Sequence, residues 1–171
     1  QLGPFRDDPG EVIETFNMPF IGTFGLTWDY DNSHIWALNY SGPGCIYSFD
    51  PEENEVVMQF QVPEGMYGIF YLDGVIFVGD ADRDDNMLYS YDTEGNELDP
   101  RQAPINLRRT FVAGTEDIFL THERRVPIIN VFDFENMEQL GVIQFEQFVN
   151  GERTYDMVWV EDHPDGQLWV A

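Results

Sequence analysis

The chain has 171 residues, 43% of them hydrophobic, and a formal net charge of −24 at pH 7. This hydrophobic content is typical of a folded protein rather than a disordered one, and the length suits a single domain. The charge disfavours nucleic acid and anionic membranes as partners, since both would be repelled, and no apolar run is long enough for membrane insertion.

The first residues of the chain copy part of a later segment. Residues 5–12 read FRDDPGEV, and residues 49–56 read FDPEENEV. The match predicts that the chain opens at the end of one strand and continues into another at Val12–Phe16. The sequence begins with Gln1, without a methionine or a signal peptide, which fits a processed end and a secreted or extracellular (cell-surface) protein.

The next segment reads as four short strands separated by turns. Aromatic and β-branched residues fill 25–29, 35–39, 46–50 and 55–62. Gly, Pro, Asn and Asp fill the gaps between these runs, as they do in tight turns. The segment therefore predicts a small antiparallel sheet, whose strands we letter A to D in chain order.

Two markers of this sheet recur along the chain. The motif Ile46–Asp50 returns as Leu88–Asp92 and as Ile129–Asp133, 42 and 41 residues apart. The apolar triplet at 35–37 returns at 76–78, 118–120 and 168–170. A period of roughly 40 to 50 residues with several strands per unit is typical of a β-propeller blade, because each small sheet buries its faces against its neighbours.

We therefore predict an all-β fold, a β-propeller with about four blades of four antiparallel strands. The blades are expected at 21–62, 66–104 and 108–146, with a composite blade of 154–171 and 1–18. The period leaves two geometries open: a closed four-bladed ring, or an arc of a larger propeller. An arc would leave unpaired strand edges that favour self-association with further copies of the chain.

The segment GLTWDYDNSHIWALNYSGPGCIYSFDPEENEVV, residues 25–57, resembles the blades of YVTN/NHL-type, streptogramin-lyase-like bacterial β-propellers. The resemblance implies the propeller fold over almost the whole chain. Such blades occur in lyases and lactonases, and also in many secreted or surface proteins, so the resemblance implies no single activity.

The sharpest candidate site is an acidic loop between the second B and C strands. Asp80, Asp82 and Asp84 alternate there and are followed by Asn86. Alternate carboxylates in a tight loop can converge their oxygens on a hard cation, so we predict Ca²⁺ at these four residues. Later positions lack the glycine and the bidentate acid of a complete calcium loop, and the alternative is a solvated acidic turn.

Two further features fall on the face formed by the B–C and D–A connections, where loops on a rigid scaffold commonly carry function. Asn39 begins the sequon Asn-Tyr-Ser, which makes it a glycosylation candidate. His122, Arg124 and Arg125 form a basic cluster that we predict as a ligand-binding face. The alternative is that these arginines balance neighbouring carboxylates.

No catalytic residues are identified by motif. The histidines have no metal-ligand spacing, Cys45 is the sole cysteine, and no phosphate loop or nucleophile elbow occurs. We therefore expect a secreted or cell-surface propeller that acts as a binding, adhesive or structural module for a protein or carbohydrate ligand, or for further copies of itself. The alternative is a metal-dependent propeller hydrolase or lyase acting in the axial channel.

Overall fold

The computed structural model describes residues 15, 22–40, 43–80, 86–123, 126–144, 156–160 and 167–170, with only the backbone of Asp80. All regular structure in these ranges is β-strand. The first sheet comprises β1 (Thr23–Asp29), β2 (His34–Asn39), β3 (Cys45–Asp50) and β4 (Glu55–Gln61). The second comprises β5 (Met66–Leu72), β6 (Val75–Asp80), β7 (Met87–Asp92) and β8 (Arg101–Gln102). The third comprises β9 (Thr110–Gly114), β10 (Ile118–Glu123), β11 (Ile128–Asp133) and β12 (Gln139–Gln144), and the fourth β13 (Met157–Trp159) and β14 (Leu168–Val170).

The strands pair in the order of the chain, as they do in propeller blades. Three sheets have four strands each and the fourth has two described strands, with every pair antiparallel. The predicted all-β propeller architecture is therefore confirmed. The composite blade stays a prediction, because 1–14 and 16–18 lie outside the described residues. No helix suited to crossing a membrane occurs in the described ranges.

An aspartate ends each of the three described C strands, β3, β7 and β11, and forms the turn to the D strand. The Asp50 carboxylate accepts hydrogen bonds from the backbone N–H groups of Glu52 and Glu53, at 2.8 and 3.2 Å. Asp92 likewise accepts hydrogen bonds from the backbone N–H groups of Glu94 and Asn96. Asp133 accepts them from the backbone N–H groups of Glu135 and Asn136. The recurrent aspartate of the sequence repeat is thus a local hydrogen-bond acceptor that closes the hairpin.

Buried apolar side chains join neighbouring sheets. Leu38 of the first sheet and Ile76 of the second belong to one buried cluster, and Phe77 of the second and Phe119 of the third belong to another. Burial of this kind is the main stabilising contribution, since a single sheet leaves one apolar face exposed to water. The blades therefore depend on one another for their stability.

The A strands form a closed circuit around the axis. β1 packs on β5, β5 on β9, β9 on β13, and β13 contacts β1 again. A third apolar cluster joins the four strands through Phe24, Tyr67, Phe111 and Met157. This circuit agrees with the closed-ring alternative, since an arc of a larger propeller would leave β1 and β13 apart.

Two glycines allow the A strands to approach closely. Gly25 and Gly68 occupy equivalent places in the irregular starts of β1 and β5 and have φ angles of 151° and 81°. A Cβ on Gly25 would lie 2.9 Å from Ile69 Cγ2, and one on Gly68 would lie 2.9 Å from the backbone nitrogen of Val112. A side chain at either position would push neighbouring blades apart.

Candidate ligand-binding site at the end of the propeller axis

A cavity of about 430 Å³ opens where the four A strands end. The last residues of β1, β5 and β9, the A–B turns that follow them, and β13 line its wall. All four sheets therefore contribute to one concave site. A volume of this size is in the range of small-molecule sites, roughly 300–1,000 Å³.

The A–B turns supply the cavity with carboxylates. Asp31 comes from the first turn, Asp73 from the second, and Glu116 and Asp117 from the third. The described residues that line the cavity include no lysine, arginine or histidine. The site consequently has a negative potential that its own wall does not neutralise.

Aromatic rings form the rest of the wall. Trp28 and Tyr30 belong to the first sheet and its turn, Phe70 and Tyr71 to the second, and Trp159 to the fourth. Aromatic faces carry partial negative charge, so they add to the attraction for a cation while offering apolar contact area. The cavity therefore combines flat apolar surfaces with formal negative charge.

Two hydrogen bonds from Tyr71 join β5 to the first sheet and its A–B turn. The Tyr71 hydroxyl donates to Asp31 Oδ2 at 2.6 Å, and the Tyr71 backbone N–H donates to Thr27 Oγ1 at 3.1 Å. Burial raises the pKa of Tyr71, and the hydrogen bond to Asp31 and the nearby charges of Asp29 and Asp31 raise it further. Tyr71 is thus a neutral donor, and Asp31 is held in a defined position on the rim.

Asp29 supports this rim from below. It has no exposed surface, and its carboxylate accepts bonds from Asp31 N, Asn32 N, Asn32 Nδ2 and Trp36 Nε1 at 3.0 to 3.1 Å. Burial alone raises the pKa of Asp29, but the hydrogen bonds from Asn32, Trp36 and Asp31 prevail and hold it below its ordinary value. The first A–B turn is therefore built around a buried, ionised carboxylate.

Asp156 connects the fourth sheet to the first. Its Oδ2 accepts a hydrogen bond from the Leu26 backbone N–H at 2.9 Å, and its Oδ1 accepts one from the Met157 N–H at 2.8 Å. Burial outweighs these bonds and raises the pKa of Asp156 to about 6. A second, largely apolar cavity of about 340 Å³ lies beside it, between β1 and β14.

Most of the predicted calcium loop lies outside the described residues. Asp82 and Asp84 are not described, and Asp80 ends β6 with only its backbone described. Asn86 has a φ of 55°, and its Oδ1 is buried with no hydrogen-bond partner among the described atoms. Within the described ranges, no three His, Cys, Asp or Glu side chains are grouped to hold a metal ion. The calcium site stays a prediction.

The predicted basic face is described only at His122. This side chain is 1% exposed, stacks on Phe111 with ring centroids 6.4 Å apart, and has its Nδ1 3.1 Å from the Ile128 carbonyl oxygen. Burial lowers the pKa of His122, although the Ile128 carbonyl and Glu123 act in the opposite direction. Arg124 and Arg125 lie outside the described residues, so the ligand face that includes them stays a prediction.

The glycosylation candidate lies at the end of β2. Asn39 pairs with Cys45 across the sheet and is 9% exposed. Ser41, the third residue of the sequon, is outside the described part of the chain. Modification of Asn39 therefore also stays a prediction.

Sequence reasoning named the axial channel only as the place of the alternative enzyme and identified none of the residues that line this cavity. It considered the B–C and D–A connections, whereas the cavity is at the opposite end of the blades, among the A–B turns. A signal was present, since Asp31, Asp73 and Glu116 each follow the end of an A strand. The convergence of these acids at one axis becomes visible only when the blades are arranged in a circuit.

Comparisons with known proteins agree with the fold. No protein-family model matches the chain, and no curated protein matches its sequence. The chain is similar to the crystal structure of Myxococcus xanthus glutaminyl cyclase, with a TM-score of 0.52 and 12% identity over 87% of this chain and 84% of that one. KlHsv2 with loop 6CD replaced by a Gly-Ser linker gives a TM-score of 0.49 and 14% identity, over 79% of this chain and 44% of that one, so the chain spans less than half its length.

The sheets and the likeness to glutaminyl cyclase together define a protein of the β-propeller type. At 12% identity the likeness shows the fold alone. Function must be argued from the site, because one propeller fold supports many unrelated activities.

Proposed function

We propose that this propeller is a binding module and that the axial cavity among its A–B turns holds the ligand. The observation that carries the proposal is the cavity itself, to which all four sheets contribute. A concave site with aromatic walls and a few fixed polar groups is the usual form of a small-molecule site. The Tyr71–Asp31 hydrogen bond and the buried Asp29 give this one a preorganised rim.

Two details of the proposal, the type of blade and the location of the protein, do not follow from the cavity. Assignment of the blades to the YVTN/NHL type, and location of the protein outside the cell or at its surface, rest on the resemblance of residues 25–57 to such repeats. An adhesive or self-assembling role stays a separate prediction from the sequence, because the contacts among the A strands concern the axis and not the outer surface of the blades.

The binding proposal predicts that a bulky side chain at the cavity wall abolishes binding. Gln167 is exposed and lines the cavity, so Gln167→Trp should fill the entrance without disturbing the core. Gln59→Trp, at an exposed position of β4, is the matched control. The test is saturation-transfer NMR with a mixture of neutral, anionic and cationic fragments.

We expect the wild type and Gln59→Trp to bind the same fragments and Gln167→Trp to lose them. Failure of the wild type to bind any fragment would contradict the proposal. Equal binding by both variants would place the ligand elsewhere on the protein.

The second candidate function is a metal-dependent hydrolase or lyase that acts in the axial channel. The observation in its favour is the set of carboxylates in the same cavity, and the likeness to a glutaminyl cyclase places an enzyme among proteins of this fold. Catalysis needs titratable groups that converge on one reacting atom. Mass spectrometry of bound fragments after long incubation separates the two functions: the binding module returns them unchanged, whereas the enzyme gives products that a chelator suppresses.

A further inference from the structure

We propose that the axial cavity binds a small organic cation, a compound with an ammonium group. This inference rests on the proposed function, since it names the class of ligand for the same cavity. The aromatic wall and the uncompensated negative charge both favour the same chemistry.

The aromatic wall is the first reason. Trp28, Tyr30 and Trp159 line the cavity, and each keeps part of its ring surface exposed, although Trp159 also packs against the third apolar cluster. The faces of tryptophan and tyrosine attract alkylammonium groups, and sites that recognise such cations are commonly built from several rings. Side chains placed only for stability would instead be buried between the blades, as Trp36 is at 2% exposure.

The charge of the wall is the second reason. Asp31, Asp73, Glu116 and Asp117 line the cavity with no basic side chain among the described lining residues. A carboxylate or phosphate ligand would be repelled, and a neutral ligand would gain nothing from the negative potential of the wall. A cationic ligand would complement the negative charge of the wall.

The spacing of the carboxylates favours an organic cation over a metal ion. Ca²⁺ and Mg²⁺ need several oxygens within about 2.6 Å of one point. Among the described residues, no three acidic, His or Cys side chains come together in this way. The acids instead come from three turns around a space of about 430 Å³, which suits a ligand several ångströms wide.

The probe that tests this chemistry is choline, with 3,3-dimethylbutan-1-ol as its uncharged isostere. The two molecules have nearly the same shape, so a difference in their affinities measures the contribution of the charge. Titration calorimetry at physiological salt should show choline binding at least about tenfold more tightly than the alcohol. Equal affinities would overturn the inference.

Substitutions of the wall carboxylates test whether choline binds in the axial cavity. Asp73→Asn with Glu116→Gln removes two charges from the wall and should weaken choline binding by about tenfold or more. Asn suits position 73, where φ is 47°, because it tolerates this backbone conformation. The control, Glu64→Gln with Asp99→Asn, removes two exposed charges away from the cavity and should leave the affinity unchanged.

A second pair of variants tests the contribution of the aromatic wall to choline binding. Trp159→Leu should weaken choline binding by about three- to tenfold, whereas Trp169→Leu, which changes the second cavity, should have no effect. Loss of affinity in both control variants would indicate general attraction to an acidic protein and would overturn the inference.

The outcomes separate this inference from the proposed function. If neutral or anionic fragments bind and Gln167→Trp abolishes that binding, the cavity is a ligand site but its ligand is not a cation. If choline binds equally to Gln167→Trp and the wild type, the cation inference fails at this cavity. If CaCl₂ binds with the same response to Asp73→Asn and Glu116→Gln, the cavity is a metal site instead.

Discussion

Asp156 shows how a single side chain can hold two blades together. Its carboxyl group lies in the fourth sheet and accepts the Leu26 N–H of the first sheet. Because burial raises the pKa of Asp156 from 3.8 to about 6, the folded state binds this proton more tightly than the unfolded state does. The contribution of Asp156 to stability is therefore complete below about pH 4 and is lost as the pH rises through about 6.

We predict that Asp156→Asn flattens the dependence of stability on pH. Between pH 4 and 8 the wild type should lose on the order of 2 kcal/mol more than the variant, because the variant has no carboxyl group to ionise at this position. The measurement is chemical denaturation across this range in high salt, which screens the general repulsion of an acidic chain. Parallel pH profiles for the two proteins would contradict the assignment.

The A strands β1 and β5 each need a glycine, Gly25 and Gly68, where they pack closely against the next blade. At Gly68 a methyl group would meet the backbone of β9, which has no rotamer by which to move away. We predict that Gly68→Ala lowers the free energy of unfolding by about 2 to 4 kcal/mol, through strain at a positive φ and overpacking.

Gly141→Ala is the control for this prediction. Gly141 lies in the exposed outer strand β12, and a Cβ there would have open space around it. Urea denaturation should show a change of less than about 0.5 kcal/mol for this variant. Equal effects at both glycines would show that the blades do not need the close approach at Gly68.

The elements differ in how far the sequence could predict them. The C–D turns at Asp50, Asp92 and Asp133 were predictable, because an aspartate that accepts from the next backbone N–H groups acts within a few residues. The requirement for glycine at positions 25 and 68 was not, because the atoms that exclude a side chain belong to the next blade. Local hydrogen bonding is visible in sequence, and packing between distant segments is not.

The arrangement of the four sheets explains why aromatic and acidic residues meet at the axial cavity. Aromatic and acidic residues are frequent throughout a chain with 15% aromatic residues and a net charge of −24, so neither type marked the cavity in the sequence. The closed circuit of A strands brings the ends of four sheets to one axis and thereby concentrates both types there. The B–C loops, where the sequence did show motifs, fall largely outside the described residues.

The central claim is that the axial cavity binds a small organic cation, and the four tryptophans allow a direct test. Trp159 lines the axial cavity, Trp28 lines both the axial and the second cavity, Trp169 lines the second cavity, and Trp36 is buried beneath the first turn. In a nitrogen–proton correlation spectrum, titration with choline should shift the indole signals of Trp28 and Trp159 in a saturable way and leave the other two unchanged. No saturable shift, or a shift of Trp28 and Trp169 without Trp159, would contradict the claim.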